Sequence, residues 1–216
     1  MDTQVIRAGL WKRFAISTAL ATFAVAPLAH GDDEEGFRLR LHSGTFTNGG
    51  TLPVSMIDNI APNGVNLCTV DGTPGGNESP ELSWEHAPRE TRSFVVVAFD
   101  TTASFTHWGM YNISAKAGGL PANAGVPGSS YGQQVLNDFF DVPAYEGPCP
   151  PVGVAPVSHQ YVFTVYALAT RLTLPNLANF PDNAETLYQA LLTAGSRGEV
   201  LASASIAGFF SATPAN

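Results

Sequence analysis

The chain has 216 residues, enough for one domain with a sizeable core and few for two. Charged residues are only 13% of it, against 21 Gly and 16 Pro, a mixture that argues against a helical bundle and for β-structure with long ordered loops. A net charge of −8 argues against nucleic acid and anionic membrane surfaces as partners.

Residues 1–31 read as a leader. Arg7, Lys12 and Arg13 precede the uncharged, mostly apolar run Phe14 to Leu28, and Ala29-His30-Gly31 supplies small residues where a signal peptidase cuts. We expect cleavage near Gly31 and a single exported domain over 32–216, periplasmic or secreted. The apolar run is short for a membrane span, so no integral membrane segment is expected after cleavage. No Cys lies at the cleavage point to carry a lipid. The mature chain keeps seven basic and 17 acidic residues, which deepens its negative charge.

Phe37 to Ser43 alternates strictly, with Phe37, Leu39 and Leu41 on one face and Arg38, Arg40 and His42 on the other, the pattern of a half-buried strand. His42 then reads as a solvated residue. Thr51 to Ile60 is a weaker strand candidate broken by Pro53. Ala61 to Pro80 is rich in turn residues and reads as loop. Its Gly72-Thr-Pro-Gly-Gly76 lacks the Lys-Ser/Thr and the following helix of a phosphate-cradling loop.

Glu81 to Trp84 is a short strand candidate. Arg92 to Asp100 is nearly continuous apolar sequence, as expected of a central strand covered on both faces. Phe105 to Ile113 is the next strand, and the turn between the two can bring Asp100 and His107 to one end of a sheet. Gly118 to Pro143 is a long irregular connection.

Tyr145 to Leu168 joins a rigid Gly/Pro turn to a strand at His159 and Tyr161. Prolines with φ fixed near −65° preshape that turn. Beyond the Gln160 to Ala169 strand, Asp182 is the expected cap of a helix over Asn183 to Ala194, with Glu185 three residues on and Leu187, Leu191 and Ala194 at helical spacing. Glu199 to Phe210 can close the sheet as a last strand. The only cysteines are Cys68 and Cys149. In an exported chain two cysteines tend to pair, which would tie the Gly/Pro turn to the segment around Cys68; two buried thiols are the alternative.

Asp100, His107 and His159 are the polar residues at strand ends, with Tyr145 and Tyr161 close by. Imidazoles, hydroxyls and loop amides donate to oxyanions without a metal. The plainer readings are a hydrogen-bonded core histidine at His107 and a half-core Tyr161. No HxxxH spacing points to a metal, and no cofactor motif is present.

The ordered motifs SPELSW (79–84), TRSFVVVAFD (91–100), THWGMYNI (106–113), YEGPCPPVG (145–153) and HQYVFTVYAL (159–168) resemble the phosphatidylethanolamine-binding protein family. The likeness is to its bacterial Raf kinase inhibitor-like branch, of the YbhB/YbcL type. It covers roughly Ser79 to Leu168, with weaker agreement over Leu187 to Phe210. The resemblance implies a mainly β fold, an antiparallel β-sandwich with a few short peripheral helices, and a surface pocket for phosphate-like or carboxylate anions. By position, it assigns to that pocket Asp100, Ala103, His107, the loop residues Gly147, Pro148, Pro150, Pro151 and Gly153, and His159 and Tyr161. Tyr145 would join Tyr161 in its wall.

The family's Asp-Pro-Asp-Ala-Pro segment is here Asp100-Thr101-Thr102-Ala103-Ser104, which removes one carboxylate and both prolines. The expected function is a non-catalytic, exported binding protein for a small anionic ligand. Two alternatives are inhibition of a protease or kinase by surface contact, and hydrolysis in the same pocket. The hydrolytic reading lacks a GxSxG elbow or any other nucleophile motif. Oligomeric state is not legible in the sequence.

Overall fold

Continuous apolar runs and strict alternation become strands wherever the chain can bury one or both faces. In chain order these are β1 (Arg40–His42), β2 (Gly50–Thr51), β3 (Leu82–Glu85), β4 (Ser93–Asp100), β5 (Phe105–Ser114), β6 (Gly119–Leu120), β7 (Gln133–Gln134), β8 (His159–Leu168) and β9 (Val200–Phe210), with one α-helix, α1 (Ala184–Ser196). The structure is a computed structural model that describes residues 38–139, 142–175 and 182–213. The leader expected over 1–31, and Phe37 of the first strand candidate, lie outside the described residues.

The strands form two sheets, β1-β3-β6 and β2-β9-β8-β4-β5-β7. Pairing is antiparallel except between β2 and β9. The main core lies between the sheets, where Leu41, Leu82 and Trp84 of the small sheet meet Phe94, Val96, Phe163 and Val165 of the large one. Trp84 and Phe94 pack across it with ring centroids 5.0 Å apart. This is the mainly β, sandwich-like fold that the resemblance implied.

β4 shows why its sequence has no polar alternation. Phe94, Val96 and Ala98 face the main core, while Val95 and Val97 face a second core closed by Leu187, Leu191 and Ala194 of α1. β8, by contrast, alternates buried with half-buried positions. Its apolar face fills the sandwich and its other face is only partly covered.

Two local expectations are corrected. Thr51 to Ile60 is not a strand beyond Thr51: Pro53 has no N–H for a ladder and begins a 3-10 turn over Val54–Met56. The helix cap is Asn183 and not Asp182. Asn183 Oδ1 accepts from the Thr186 amide at 3.0 Å, and Thr186 Oγ1 accepts from the Asn183 amide at 2.9 Å. The reciprocal box uses Thr186 because the helix starts one residue later than Asp182 and Glu185 would require. Among the described residues the peripheral helices are this helix and the 3-10 turn.

Candidate functional site

The antiparallel register assembles the site. Asp100, the last residue of β4, stands opposite Tyr161 near the start of β8 and opposite Phe105 at the start of β5. Alternation then puts His159 and Tyr161 on one face of β8, and His107 on the same side as Phe105 in β5. Asp100, His107, His159 and Tyr161 meet at one end of the large sheet, around a cavity of about 240 Å³. Ala103, Pro150 and Pro151 also line it, together with Cys149, Phe105 and Phe139.

Asp100 organises the floor. Its Oδ1 accepts from the amides of Thr102 at 2.8 Å and Ala103 at 3.0 Å, which folds the β4–β5 turn back on itself. Its Oδ2 accepts from Nδ1–H of His159 at 2.6 Å, with both side chains buried. Burial foremost, then the Asp100 charge and hydrogen bonding to it, holds the Tyr161 phenol far above its ordinary range, so Tyr161 stays a neutral hydroxyl.

Thr101 and Thr102, which stand where the Asp-Pro-Asp-Ala-Pro pattern has Pro and Asp, are not idle. Thr101 donates its amide to the Gln160 carbonyl at 2.9 Å and its hydroxyl to Gln160 Oε1 at 2.9 Å, and Thr102 Oγ1 accepts from the Gln160 amide at 3.0 Å. Hydrogen bonds to the start of β8 hold the turn that proline rings would otherwise stiffen.

His107 is fixed from another direction. Its Nδ1–H donates to the Glu146 carbonyl at 2.8 Å. Its ring lies 5.0 Å from Phe105, 5.3 Å from Tyr161 and 5.8 Å from Phe139, centroid to centroid. This dry surrounding lowers its proton affinity below the usual His value; the Glu146 carbonyl and the Asp100 and Asp138 charges offset that only in part.

Both histidines therefore spend Nδ1 on the fold, and neither Nε2 has a partner among the described residues. A neutral ring in this tautomer presents Nε2 as an acceptor. Once protonated it presents a donor.

The rest of the expected set lies elsewhere. Tyr145 is a core residue: it is buried, donates its hydroxyl to the Met56 carbonyl at 3.0 Å and packs edge-on against Trp108. Gly147, Pro148 and Gly153 do not line the cavity. Their polar groups are used internally: the Gly147 amide donates to Asn77 Oδ1 at 2.7 Å, the Pro148 carbonyl accepts from Asp58 at 3.2 Å, and the Gly153 amide donates to Thr213 Oγ1 at 2.8 Å. The Gly/Pro loop gives the cavity a wall of proline rings, not a shell of amides.

Gly147 is there for space. A Cβ would collide with the Met56 carbonyl and with the backbone of Ile57 and Asp58. Gly147→Ala is expected to cost about 1–3 kcal/mol of stability, read from chemical denaturation, because backbone cannot yield as a side chain can.

Cys149 pairs with Cys68 across 81 residues of chain. Sequence reasoning missed Phe105 and Phe139, whose rings meet at 4.8 Å on the rim. Phe105 was findable, two residues before His107 on an alternating strand. Phe139 sits in the irregular connection, where no periodicity marks it. Among the described residues no group of His, Cys, Asp and Glu is placed to hold a metal ion, and no helix is long and apolar enough to cross a membrane.

A two-sheet sandwich that gathers Asp100, two histidines and Tyr161 at one small cavity at the strand ends has the architecture of a β-sandwich binding protein. The model of the family described as phosphatidylethanolamine-binding protein matches residues 42–211, and the chain belongs to that family. It is 36% identical to a UPF0098 protein of Aquifex aeolicus over 155 residues, 67% of this chain and 88% of that protein. It is 39% identical to the UPF0098 protein YbcL of Escherichia coli over 109 residues, 46% of this chain and 57% of that one. The crystal structure of E. coli YbcL, described as a new member of the mammalian PEBP family, matches with a TM-score of 0.64 at 26% identity, covering 81% of this chain and 98% of that one.

Proposed function

We propose that this chain is an exported, non-catalytic binding protein that takes a small oxyanion between His107 and His159. One observation carries the reading: the fold consumes both Nδ1 atoms and leaves both Nε2 atoms at one cavity of about 240 Å³. Tyr161, whose hydroxyl is engaged by Asp100, belongs to the wall, and the aromatic and proline walls exclude water, which strengthens a charge-assisted hydrogen bond. The lining includes no serine or threonine, and the Cys149 sulfur is held in the disulfide, which favours binding over nucleophilic catalysis. The disulfide also supports export, since such bonds persist in oxidising compartments.

Sulfate is the cleanest probe because its charge does not change between pH 5 and 8. Its affinity is expected to rise as pH falls, with the His107 contribution appearing below the ordinary His value near 6.5. His side-chain NMR should show saturable shifts at His107 and His159 at pH 5.5, weakening at pH 7.5, and His107→Ala should remove most of the response. No saturable shift at pH 5.5 in tens of millimolar sulfate would refute the anion reading.

Stability carries the same signature. Since the folded His107 ring resists protonation more than the unfolded one, the unfolded chain binds more protons below about pH 6.5, and stability is lost as pH falls through that range. Bound sulfate should restore it, raising Tm more at pH 5 than at pH 7.5.

A further inference from the structure

The large sheet carries a second cavity on its other face, of about 480 Å³. Helix α1 covers that face over β4 and β5, and its first turns stop beside the half-buried outer side of β8. Phe99, Tyr166 and Tyr188 wall the space, and Asp138 and Glu185 stand at it. Phe99 and Tyr188 meet edge-on with centroids 6.3 Å apart. The two cavities share their boundary: Asp100 and Phe139 line the histidine cavity, while the neighbouring Phe99 and Asp138 line this one.

Its electrostatics are one-sided. No Lys, Arg or His lines it, and neither Asp138 nor Glu185 has an ion pair among the described residues. Asp138 Oδ2 accepts from the Thr106 amide at 2.7 Å and Glu185 Oε1 from Gln189 at 2.8 Å, bonds that leave each charge in place. Glu185 lies in the first turn of α1 and offsets the positive end of the helix, so Asp138 is the counter-charge left to a ligand. An anion here would meet two carboxylates, and a neutral ligand would strip water from them with no compensation.

We propose that this groove is a second ligand site, for a small organic cation with an apolar body, such as an aryl or alkyl ammonium. The ammonium would sit against the ring faces beside Asp138, and the apolar body against Val97, Phe99 and Val162. Neither histidine lines the site, although the Asp138 charge also reaches His107. A protein that presents donors on one face of its sheet and acceptors with aromatic rings on the other can discriminate charge on both.

The test compares benzyltrimethylammonium with phenylacetate, which keeps the ring and reverses the charge. The wild-type chain is set beside Asp138→Asn, Tyr166→Leu, Glu185→Gln and His107→Ala, with aromatic NMR and calorimetry as readouts. Expected are saturable shifts at Tyr166 and Tyr188 with the ammonium, none with phenylacetate, and affinity roughly tenfold weaker in Asp138→Asn and in Tyr166→Leu. Glu185→Gln, at an exposed position where only a helix-end charge is lost, should leave the fold in place and weaken binding a few-fold. His107→Ala should bind no more weakly than wild type, since His107 does not line this cavity and only shares the Asp138 charge. The proposal is overturned by an absence of shifts at the two tyrosines, by an equal response to phenylacetate, or by unchanged affinity in the Asp138 and Tyr166 variants.

Discussion

Replacing Cys68 and Cys149 together by alanine is expected to lower the unfolding free energy by about 4 kcal/mol, and reduction of the wild-type chain should do the same. The bridge spans 81 residues, and in the chain-entropy account a closed loop of that size removes about that much free energy from the unfolded ensemble. The folded side of the comparison is unusually dependent on it. Ala61 to Pro80 contributes no strand, and its hold on the Gly/Pro loop otherwise rests on few bonds, chiefly that from the Gly147 amide to Asn77. Cys149 is itself part of the cavity wall beside Pro150 and Pro151, so sulfate affinity should fall along with stability. Alanine is the right replacement because Cys68 is fully buried in the main core, where a serine hydroxyl would need a partner. A denaturation midpoint that moves by the equivalent of less than 1 kcal/mol would show that backbone contacts, not the bridge, hold the two loops.

Legibility in the sequence followed locality. β4, β5 and β8 were readable because each is a long apolar or alternating run, β9 only as a poorly alternating segment that could close the sheet, and the helix because Leu187, Leu191 and Ala194 recur at helical spacing. Asp100, His107, His159 and Tyr161 were readable as a group because they lie at the ends of strands that antiparallel pairing makes neighbours. Tyr145 was not, since a tyrosine beside a cavity and a tyrosine inside a core look alike along the chain. What distinguishes them here is a carbonyl 89 residues away, that of Met56. The loop amides failed for the same reason: Asn77, Asp58 and Thr213, all distant in sequence, had already taken the polar groups of Gly147, Pro148 and Gly153. Loss of the prolines after Asp100 was visible in the sequence, but the compensation by Gln160 is again a contact between segments. Even the misplaced helix cap is a one-residue matter of which side chain reaches which amide.

Asp100 separates stability from proton control, and two substitutions divide its roles. Asp100→Ala is expected to cost about 3–5 kcal/mol, because it removes the acceptor for two turn amides and leaves the buried His159 without its partner. Asp100→Asn should cost less, about 1–2 kcal/mol. Its Oδ1 can still accept from Thr102 and Ala103, which directs the amide NH2 towards His159. That donor faces Nδ1, so the neutral His159 ring must move its proton to Nε2. In the wild-type site a neutral His159 presents Nε2 as an acceptor; in the Asn variant the same neutral ring presents Nε2–H to an anion. Sulfate should then bind Asp100→Asn with a shallower dependence on pH than it binds the wild type, and the 15N shifts of His159 should report the exchanged tautomer. A variant with an unexchanged tautomer and an undiminished pH slope would mean that Asp100 positions the ring without deciding where its proton lies. The anion site would then owe its pH dependence to the burial of His107 alone.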